Sequence, residues 1–393
     1  MTDTGKALGG WTLSPIIAAM VAILAGYSGS IVIVFQAAAA AHLSAGQLSS
    51  WIWALSLGCG VSGIALSLAT RMPVSIAWST PGAALLVVSL PSVAYPDAIG
   101  AFVLSQAAIM VLALSGMFER VMRLVPAGVA SGMLAGILFR FGAETFLSLG
   151  QAPLLVGVMI GVYLLARRLM PRFAISLVLL VAVVLSFARE QTDFSGLHLA
   201  LAVPVLTWPH FSLFAAINLA VPLTLVAITG QYLPGLTVLR TAGYELPARR
   251  AVSLISIVSL LLAPFGSHGI NLAAITAALI AGPEAHEDPR QRWRAGVAMG
   301  TLYLLIALFG ATLAALFASL PRELIAAIAG LAFLGAILSG LTTALANPRE
   351  RDAALITFLC SASGMSLFGL GAAFWGLVIG LSAQFAFTVR KPA

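Results

Sequence analysis

The stretch PFGSHGINLAAITAALIAG, Pro264 to Gly282, departs from the pattern that the rest of the chain follows. Elsewhere the apolar runs are long enough to cross a bilayer, which takes roughly 20 residues of helix. Here about a dozen apolar residues follow a segment of Gly, Ser, His and Asn too irregular for a continuous helix. Unwound backbone at membrane depth is tolerated only where it is buried in protein or lines a wet cavity. The stretch therefore reads as half of a binding site. A second stretch, PVSIAWSTPGAALLVVSLP from Pro73 to Pro91, has the same order: a proline, an extended segment dotted with polar residues, then a short helix with Pro81 suited to its first turn. The prolines that open the two stretches are about 191 residues apart, close to half of 393. Interrupted segments in corresponding positions of two halves point to an internal duplication and to the central site of a transporter.

The composition agrees. With 61% hydrophobic and 8% charged residues, the chain has too little polar surface for a water-soluble fold. It reads as an all-α membrane protein whose environment is the lipid bilayer. Cys59 and Cys360 both lie in apolar runs, so they read as small core residues rather than a disulfide framework. The formal charge of +7 comes from basic residues scattered singly and in pairs between apolar runs, which argues against a nucleic-acid partner. Met1 to Gly10 is polar and leads straight into a full-length apolar run, so the expectation is no cleaved leader and a first span that acts as its own insertion signal.

Spans are expected near 15–35, 48–69, the short 81–90, 98–118, 126–141, 152–169 and 173–187. A second set is expected near 213–233, 251–263, the short 270–281, 296–316, 324–346, 353–367 and 371–389. That is 14 transmembrane segments in two sets of seven: a first repeat over 1–187, an extracytoplasmic connector over 188–210 and a second repeat over 211–393. With a cytoplasmic N-terminus, all of the 20 basic residues except Arg140, Arg189 and Arg322 fall inside, as the positive-inside rule requires. Both termini are then cytoplasmic. Because seven is odd, the second set enters the membrane in the opposite orientation, which makes an inverted repeat. Glycine ladders at Gly128, Gly132 and Gly136, at Gly157 and Gly161, at Gly296 and Gly300 and at Gly376 and Gly380 read as helix-packing seams. The GCGVSG run at Gly58 to Gly63 imitates a dinucleotide fingerprint, but it follows no strand and reads as another seam.

All 13 acidic residues fall in loops or near span ends. A carrier of cations or neutral bases usually keeps a carboxylate at the midplane, whereas an anion carrier need not. The N-termini of the two short helices offer unpaired N–H groups and the positive end of the helix dipole. Around them stand Ser79 and Thr80 in the first half and Ser267, His268 and Asn271 in the second. Ser79 and Thr80 serve either the ligand or their own helix as caps. His268 is the only histidine placed at membrane depth, so it is the candidate proton carrier. In the first span of each half, Tyr27, Ser28 and Gln36, and Thr229, Gln231 and Tyr232, interrupt apolar runs; all of these but Gln36 are candidate substrate contacts. Tyr27, Trp78 and Tyr232 would wall a flat ring, unless they only pack. Arg140 and Glu144, four residues apart on one helix face, read as an ion pair near the outer surface and as gating candidates. His198 and His210 lack companions for a metal site, and no cofactor is expected.

These residues carry a resemblance. SPIIAAMVAILAGYSGSIVIVFQAA near the N-terminus, MPVSIAWSTPGAALL and APFGSHGINLAAITAAL make the whole chain similar to the benzoate:proton symporter family, often called the BenE family. The resemblance implies a multi-pass protein of the bacterial inner membrane that imports benzoate or a similar aromatic carboxylate with protons. More distantly the chain resembles the nucleobase and sulfate transporter superfamily. That likeness implies half-helices as third and tenth spans, a core domain of spans 1–4 and 8–11, and a gate domain of spans 5–7 and 12–14. It also implies elevator-like alternating access and an expected homodimer. Aligning Ala274, Ile275 and Thr276 with the nucleobase branch puts His268 where that branch holds its base with a carboxylate. Gly230 and Gln231 stand where its eighth-span carboxylate would be. Both departures argue against a nucleobase, although a nucleobase or another small organic anion is the nearest rival substrate. From another class, GYSG at Gly26 to Gly29 with His268 as base imitates an intramembrane serine hydrolase. Nothing resembles a channel filter.

Overall fold

The computed structural model describes residues 13–118, 120, 126–190, 192, 198–368 and 370–389, without the side chains of Ser28, Arg172, Thr388 and Val389. The N-terminal stretch and Lys6, Glu119, Arg123, Asp193, Arg390 and Lys391, used above for topology and charge, lie outside the described residues. The fold is a bundle of helices. Its first part runs α1 (Leu13–Ala40), α2 (Ala45–Thr70), strand β1 (Ile76–Trp78), α3 (Thr80–Ser89), α4 (Tyr95–Leu114), α5 (Ala127–Gln151), α6 (Pro153–Leu169) and α7 (Ala174–Ala188). The second runs α8 (Leu213–Thr241), α9 (Ala248–Leu262), β2 (Ile270–Leu272), α10 (Ile275–Ala281), α11 (Trp293–Leu308), α12 (Gly310–Ala318), α13 (Arg322–Ala346), α14 (Arg351–Ser363), the hairpin β3 (Ser366–Leu367) and β4 (Leu370–Gly371), and α15 (Ala372–Val389). Among the described residues, seven helices are long and apolar enough to cross a membrane, and the bent pair α11 and α12 makes an eighth.

Local sequence explains the ends. Ser44 and Gln47 close a capping box at the start of α2, and Arg71 ends that helix with φ of 56°. Gly364 ends α14 with φ of 66°, so the segment expected as helix to residue 367 turns into the β3–β4 hairpin instead. The expected short helix over 270–281 begins as strand, because β2 pairs with β1. The segment 296–316 is not one helix but bends by 66° at Phe309. The helix expected to stop at residue 141 continues to Gln151: Arg140 and Glu144 interrupt the apolar run but not the backbone hydrogen bonding. Inside α8, two π-helical segments, Ala216–Ala220 and Ile228–Tyr232, interrupt the regular spiral.

Packing falls into two groups. α2 packs along α11, and α4 along α9; α5 packs most extensively on α13 and α14, and α14 on α15. α1 touches both groups. Most of the glycine ladders bring helix backbones close together. A methyl at Gly60 would lie 2.8 Å from the Gly300 carbonyl oxygen, and one at Gly300 would lie 2.9 Å from that of Gly60. Likewise a methyl at Gly136 would meet the Phe358 carbonyl at 2.5 Å. Gly157 and Gly161 are the exception: Gly157 would meet only Leu149 at 3.7 Å, and nothing lies within 4 Å at Gly161. That ladder faces outward and is no seam among the described residues.

Candidate functional site

The two interrupted stretches meet. β1 and β2 pair antiparallel, with Ile76 opposite Leu272, Ala77 opposite Asn271 and Trp78 opposite Ile270. The ladder continues beyond the strands through Ser79 N to Gly269 O at 3.1 Å and Ala273 N to Ser75 O at 3.0 Å. The backbone groups that face across the ladder are thereby satisfied by each other, and the Ile270 N–H, which faces away, donates to Ser259 Oγ of α9 at 3.2 Å. Side chains add to the tie. Ser75 Oγ lies 2.7 Å from Thr276 Oγ1, joining the first stretch to the start of α10. α1 runs alongside, and a methyl at Gly26 would lie 2.6 Å from Thr276 Cγ2. At its other end α10 is fixed by Arg292, whose Nη1 donates to Ala281 O and whose Nε donates to His286 O, both at 2.8 Å. In the same loop the Arg290 backbone N–H holds the Asp288 carboxyl below the usual carboxylate range.

Ser79 accepts from the Gly82 N–H at 3.0 Å and so caps α3. The Ala83 N–H goes to the Ser79 carbonyl at 2.8 Å, and Pro81 has no N–H. The start of α3 is therefore largely satisfied from within, a correction to the expectation of free backbone donors there. Thr80 does not cap; its hydroxyl donates to Ser30 Oγ of α1 at 3.0 Å.

His268 is 1% exposed and bonded at both ring nitrogens. The Trp51 indole N–H donates to Nδ1 at 3.0 Å, and Nε2 lies 3.0 Å from the Ser79 carbonyl oxygen. An indole only donates and a carbonyl only accepts, so the ring is neutral with its proton on Nε2. A second proton at Nδ1 would set two N–H groups against each other. The imidazole in this arrangement is a brace between α2 and the cap of α3, and it can take up a proton only if Trp51 withdraws. The flanking glycines make the brace fit: Gly266 has φ of 107° and Gly269 of 134°.

The aromatic wall forms only in part. The Tyr27 and Trp78 rings pack edge to face with centroids 4.9 Å apart. The third ring is Tyr303 of α11, 6.2 Å from Tyr27 and 6.1 Å from Trp78, which sequence reasoning missed. Tyr232 stands elsewhere, 5.6 Å from Phe118, with its hydroxyl 3.5 Å from the Ile270 carbonyl oxygen. Within the Tyr27, Trp78 and Tyr303 cluster, the Tyr27 hydroxyl has the Ser56 hydroxyl as its hydrogen-bonding neighbour, and the Trp78 indole N–H is buried without a hydrogen-bond partner among the described residues. Ser267 Oγ and both amide atoms of Asn271 are likewise unpartnered, but Asn271 gathers with Gln106 of α4 around Gly269. Thr229 returns its hydroxyl to Leu225 O at 2.7 Å, and Gln231 sits half-buried in a π-helical segment. Gln36 donates to Ile325 O of α13 at 3.4 Å. The side chain of Ser28 lies outside the described residues.

Residues 10–386 match the family described as benzoate membrane transport protein, BenE. The chain belongs to that family. It is 44% identical over 375 residues, 95% of each chain, to the benzoate membrane transport protein of Acinetobacter baylyi. It is 40% identical to the inner membrane protein YdcO of Escherichia coli strain K12 over 365 residues, 93% of each chain. Among solved structures it superposes on SLC26A9 with a TM-score of 0.66 at 12% identity, covering 96% of this chain and 66% of that one. It also superposes on the transmembrane domain of the cyanobacterial transporter BicA with a TM-score of 0.56 at 13% identity, covering 96% and 97%. These two likenesses establish the fold. BenE membership makes the chain a multi-pass membrane transport protein and not an enzyme. The hydrolase reading fails on geometry as well, since both nitrogens of His268 are engaged by Trp51 and Ser79.

Two expectations for this BenE-family chain need correction or replacement. Arg140 and Glu144 form no ion pair with each other among the described residues; the Arg140 guanidinium instead lies against Gly364 at the end of α14, where a methyl would meet Nη1 at 2.5 Å. In the connector, His210 Nδ1 pairs with Asp97 of α4 and its backbone N–H donates to Pro96 O at 3.0 Å, so it fastens the connector to that helix.

Proposed function

We propose that the chain imports benzoate or a similar aromatic carboxylate into the bacterial cytoplasm across the inner membrane, with protons, by alternating access. The name of the Acinetobacter relative points to the substrate, and that of the Escherichia coli relative to the membrane. The observation that carries the reading is the buried, unpartnered Trp78 N–H beside the buried Tyr27 hydroxyl and its neighbour Ser56, in an aromatic cluster at the β1–β2 crossing. An unpartnered buried donor costs about 1–3 kcal/mol, and a hydrogen bond to a charged acceptor contributes about 1.5–3 kcal/mol. A carboxylate satisfies the Trp78 N–H and competes with Ser56 for the Tyr27 hydroxyl, and its ring takes the apolar flank. No buried cation is required.

In this reading the fold is two inverted sets of seven spans with both termini cytoplasmic, α3 and α10 being the half-helices. The packing of α2, α4, α9 and α11 apart from α5, α13, α14 and α15 supports a core that moves against a gate in elevator fashion. Ser267, His268, Asn271, Ser28 and Gln231 remain candidate contacts, Arg140 and Glu144 candidate gating residues, and a homodimer the expected assembly. His268 carries the proton in the conformation where Trp51 has moved away.

The test is uptake of labelled benzoate into proteoliposomes with and without an inward proton gradient at matched membrane potential. Accumulation that needs the gradient is expected. Equal uptake in both arms removes proton coupling. Failure to take up benzoate from folded, inserted protein removes the substrate, and competition by nucleobases and other small anions then identifies the replacement.

A further inference from the structure

A groove of about 590 Å³ opens on the outer surface of the bundle between the end of α4 and the first half of α9, lined by Leu114, Arg249, Arg250, Ser253, Leu254, Ile257 and Val258. Its walls are apolar, and Leu114 and Ile257 are 49% and 47% exposed on helices that cross the membrane, so the groove faces lipid. At its mouth stand Arg249 and Arg250, exposed in the first turn of α9. Cations in a helix's first turn oppose the dipole, so they do not serve α9 itself. Neither pairs with a carboxylate among the described residues. Below them the Ser253 hydroxyl is shielded from solvent and has no hydrogen-bond partner among the described residues. The order along the groove is two guanidinium groups, one hydroxyl, then aliphatic wall.

We propose that this groove binds an anionic phospholipid, with the phosphate on Arg249 and Arg250 and one acyl chain along Leu254, Ile257 and Val258. Charge complementarity selects the headgroup: a guanidinium pairs with phosphate oxygens through two parallel N–H donors, which zwitterionic choline lipids satisfy less well because they bring their own cation. The apolar wall selects a lipid over a free phosphate. Because α9 packs on α4, the bound lipid rests on both helices of that group.

The test is native mass spectrometry of the purified full-length protein titrated with phosphatidylglycerol, with phosphatidylcholine of the same acyl chains, and with glycerol phosphate. Wild type is expected to hold phosphatidylglycerol more tightly than phosphatidylcholine by about fivefold for each arginine engaged, and to ignore glycerol phosphate. The double variant Arg249→Gln with Arg250→Gln is expected to lose the preference, and the double lysine variant to keep most of it. Leu254→Trp, which fills the groove, is expected to weaken both lipids; it decides the matter if the glutamine variant does not fold. Equal binding of the two lipids by wild type overturns the proposal, as does an unchanged preference in the glutamine variant. Tight glycerol phosphate binding, or unchanged lipid binding in Leu254→Trp, also overturns it.

Discussion

The Trp51 indole donates to His268 Nδ1 at 3.0 Å, and so occupies the position that a second proton on the ring would need. Trp51→Phe keeps a ring in the core and removes the opposing N–H. Removing one neutral hydrogen bond costs about 0.5–1.5 kcal/mol of stability, read as a lower melting midpoint in detergent. The sign for transport follows from the inventory of donors. With Nδ1 free, protonation meets less opposition, so gradient-driven uptake by the variant should persist to higher pH than in wild type. An unchanged pH profile, with the stability loss present, would leave His268 as a brace alone.

His268→Gln separates brace from carrier. A glutamine amide can still donate toward the Ser79 carbonyl, which His268 now reaches at 3.0 Å, but it cannot titrate near neutral pH. Downhill exchange of labelled benzoate should survive, while accumulation driven by the proton gradient should be lost. Retained accumulation would move the proton to another group.

Two glycines predict opposite outcomes from the same change. Gly300→Ala places a methyl 2.6 Å from Ile64 Cγ1 and 2.9 Å from the Gly60 carbonyl oxygen, so α2 and α11 must separate, at about 1–3 kcal/mol. Gly161→Ala meets nothing within 4 Å and should be neutral or stabilising by about 0.5–1 kcal/mol, because alanine favours the helix. The melting midpoint of Gly300→Ala should fall below that of the wild type, and that of Gly161→Ala should lie level with it or above.

The two interrupted stretches were legible because prolines and glycines punctuate them, and punctuation acts locally. Pro81 and Ser79 mark the start of α3 wherever the helix sits. What punctuation could not say is which residues meet. Trp51 and His268 lie 217 positions apart, and in an apolar run Trp51 looks like any packing aromatic. Tyr303 is equally silent, whereas Tyr232 stands out in the sequence by its polar neighbours but packs against Phe118. The pairing of β1 with β2 also lay beyond reach. An extended segment makes no backbone hydrogen bonds of its own, and only the fold decides what fills them. Arg140 and Glu144 have the spacing of a helical ion pair, but that spacing only permits contact; the guanidinium found Gly364 at the end of α14.

The Glu350 carboxylate accepts the Gly128 N–H at 2.9 Å at the start of α5, and Asn347 donates to its other oxygen at 2.8 Å. A carboxylate there satisfies an otherwise unpaired helix donor and meets the positive end of the dipole. Glu350→Ala should cost about 1 kcal/mol. Glu350→Gln should cost less, because an acceptor oxygen remains. Detergent melting curves check both, and equal losses would mean that charge, not the hydrogen bond, is what matters.

Tyr27→Phe is the sharpest test of the substrate site, because it keeps the ring that packs 4.9 Å from Trp78 and removes only the buried hydroxyl. The hydroxyl's neighbour for a hydrogen bond is Ser56, so its loss should lower stability by no more than about 0.5–1.5 kcal/mol. If benzoate is its partner, the variant should need about tenfold more substrate for half-maximal uptake, the effect of one hydrogen bond to a charged group. Maximal uptake should change little, since the bond forms when substrate binds. The concentration dependence of uptake reads this directly. A wild-type half-saturation value would show that the carboxylate is held elsewhere, and a matching result for Trp78→Phe would take the whole aromatic cluster out of the site.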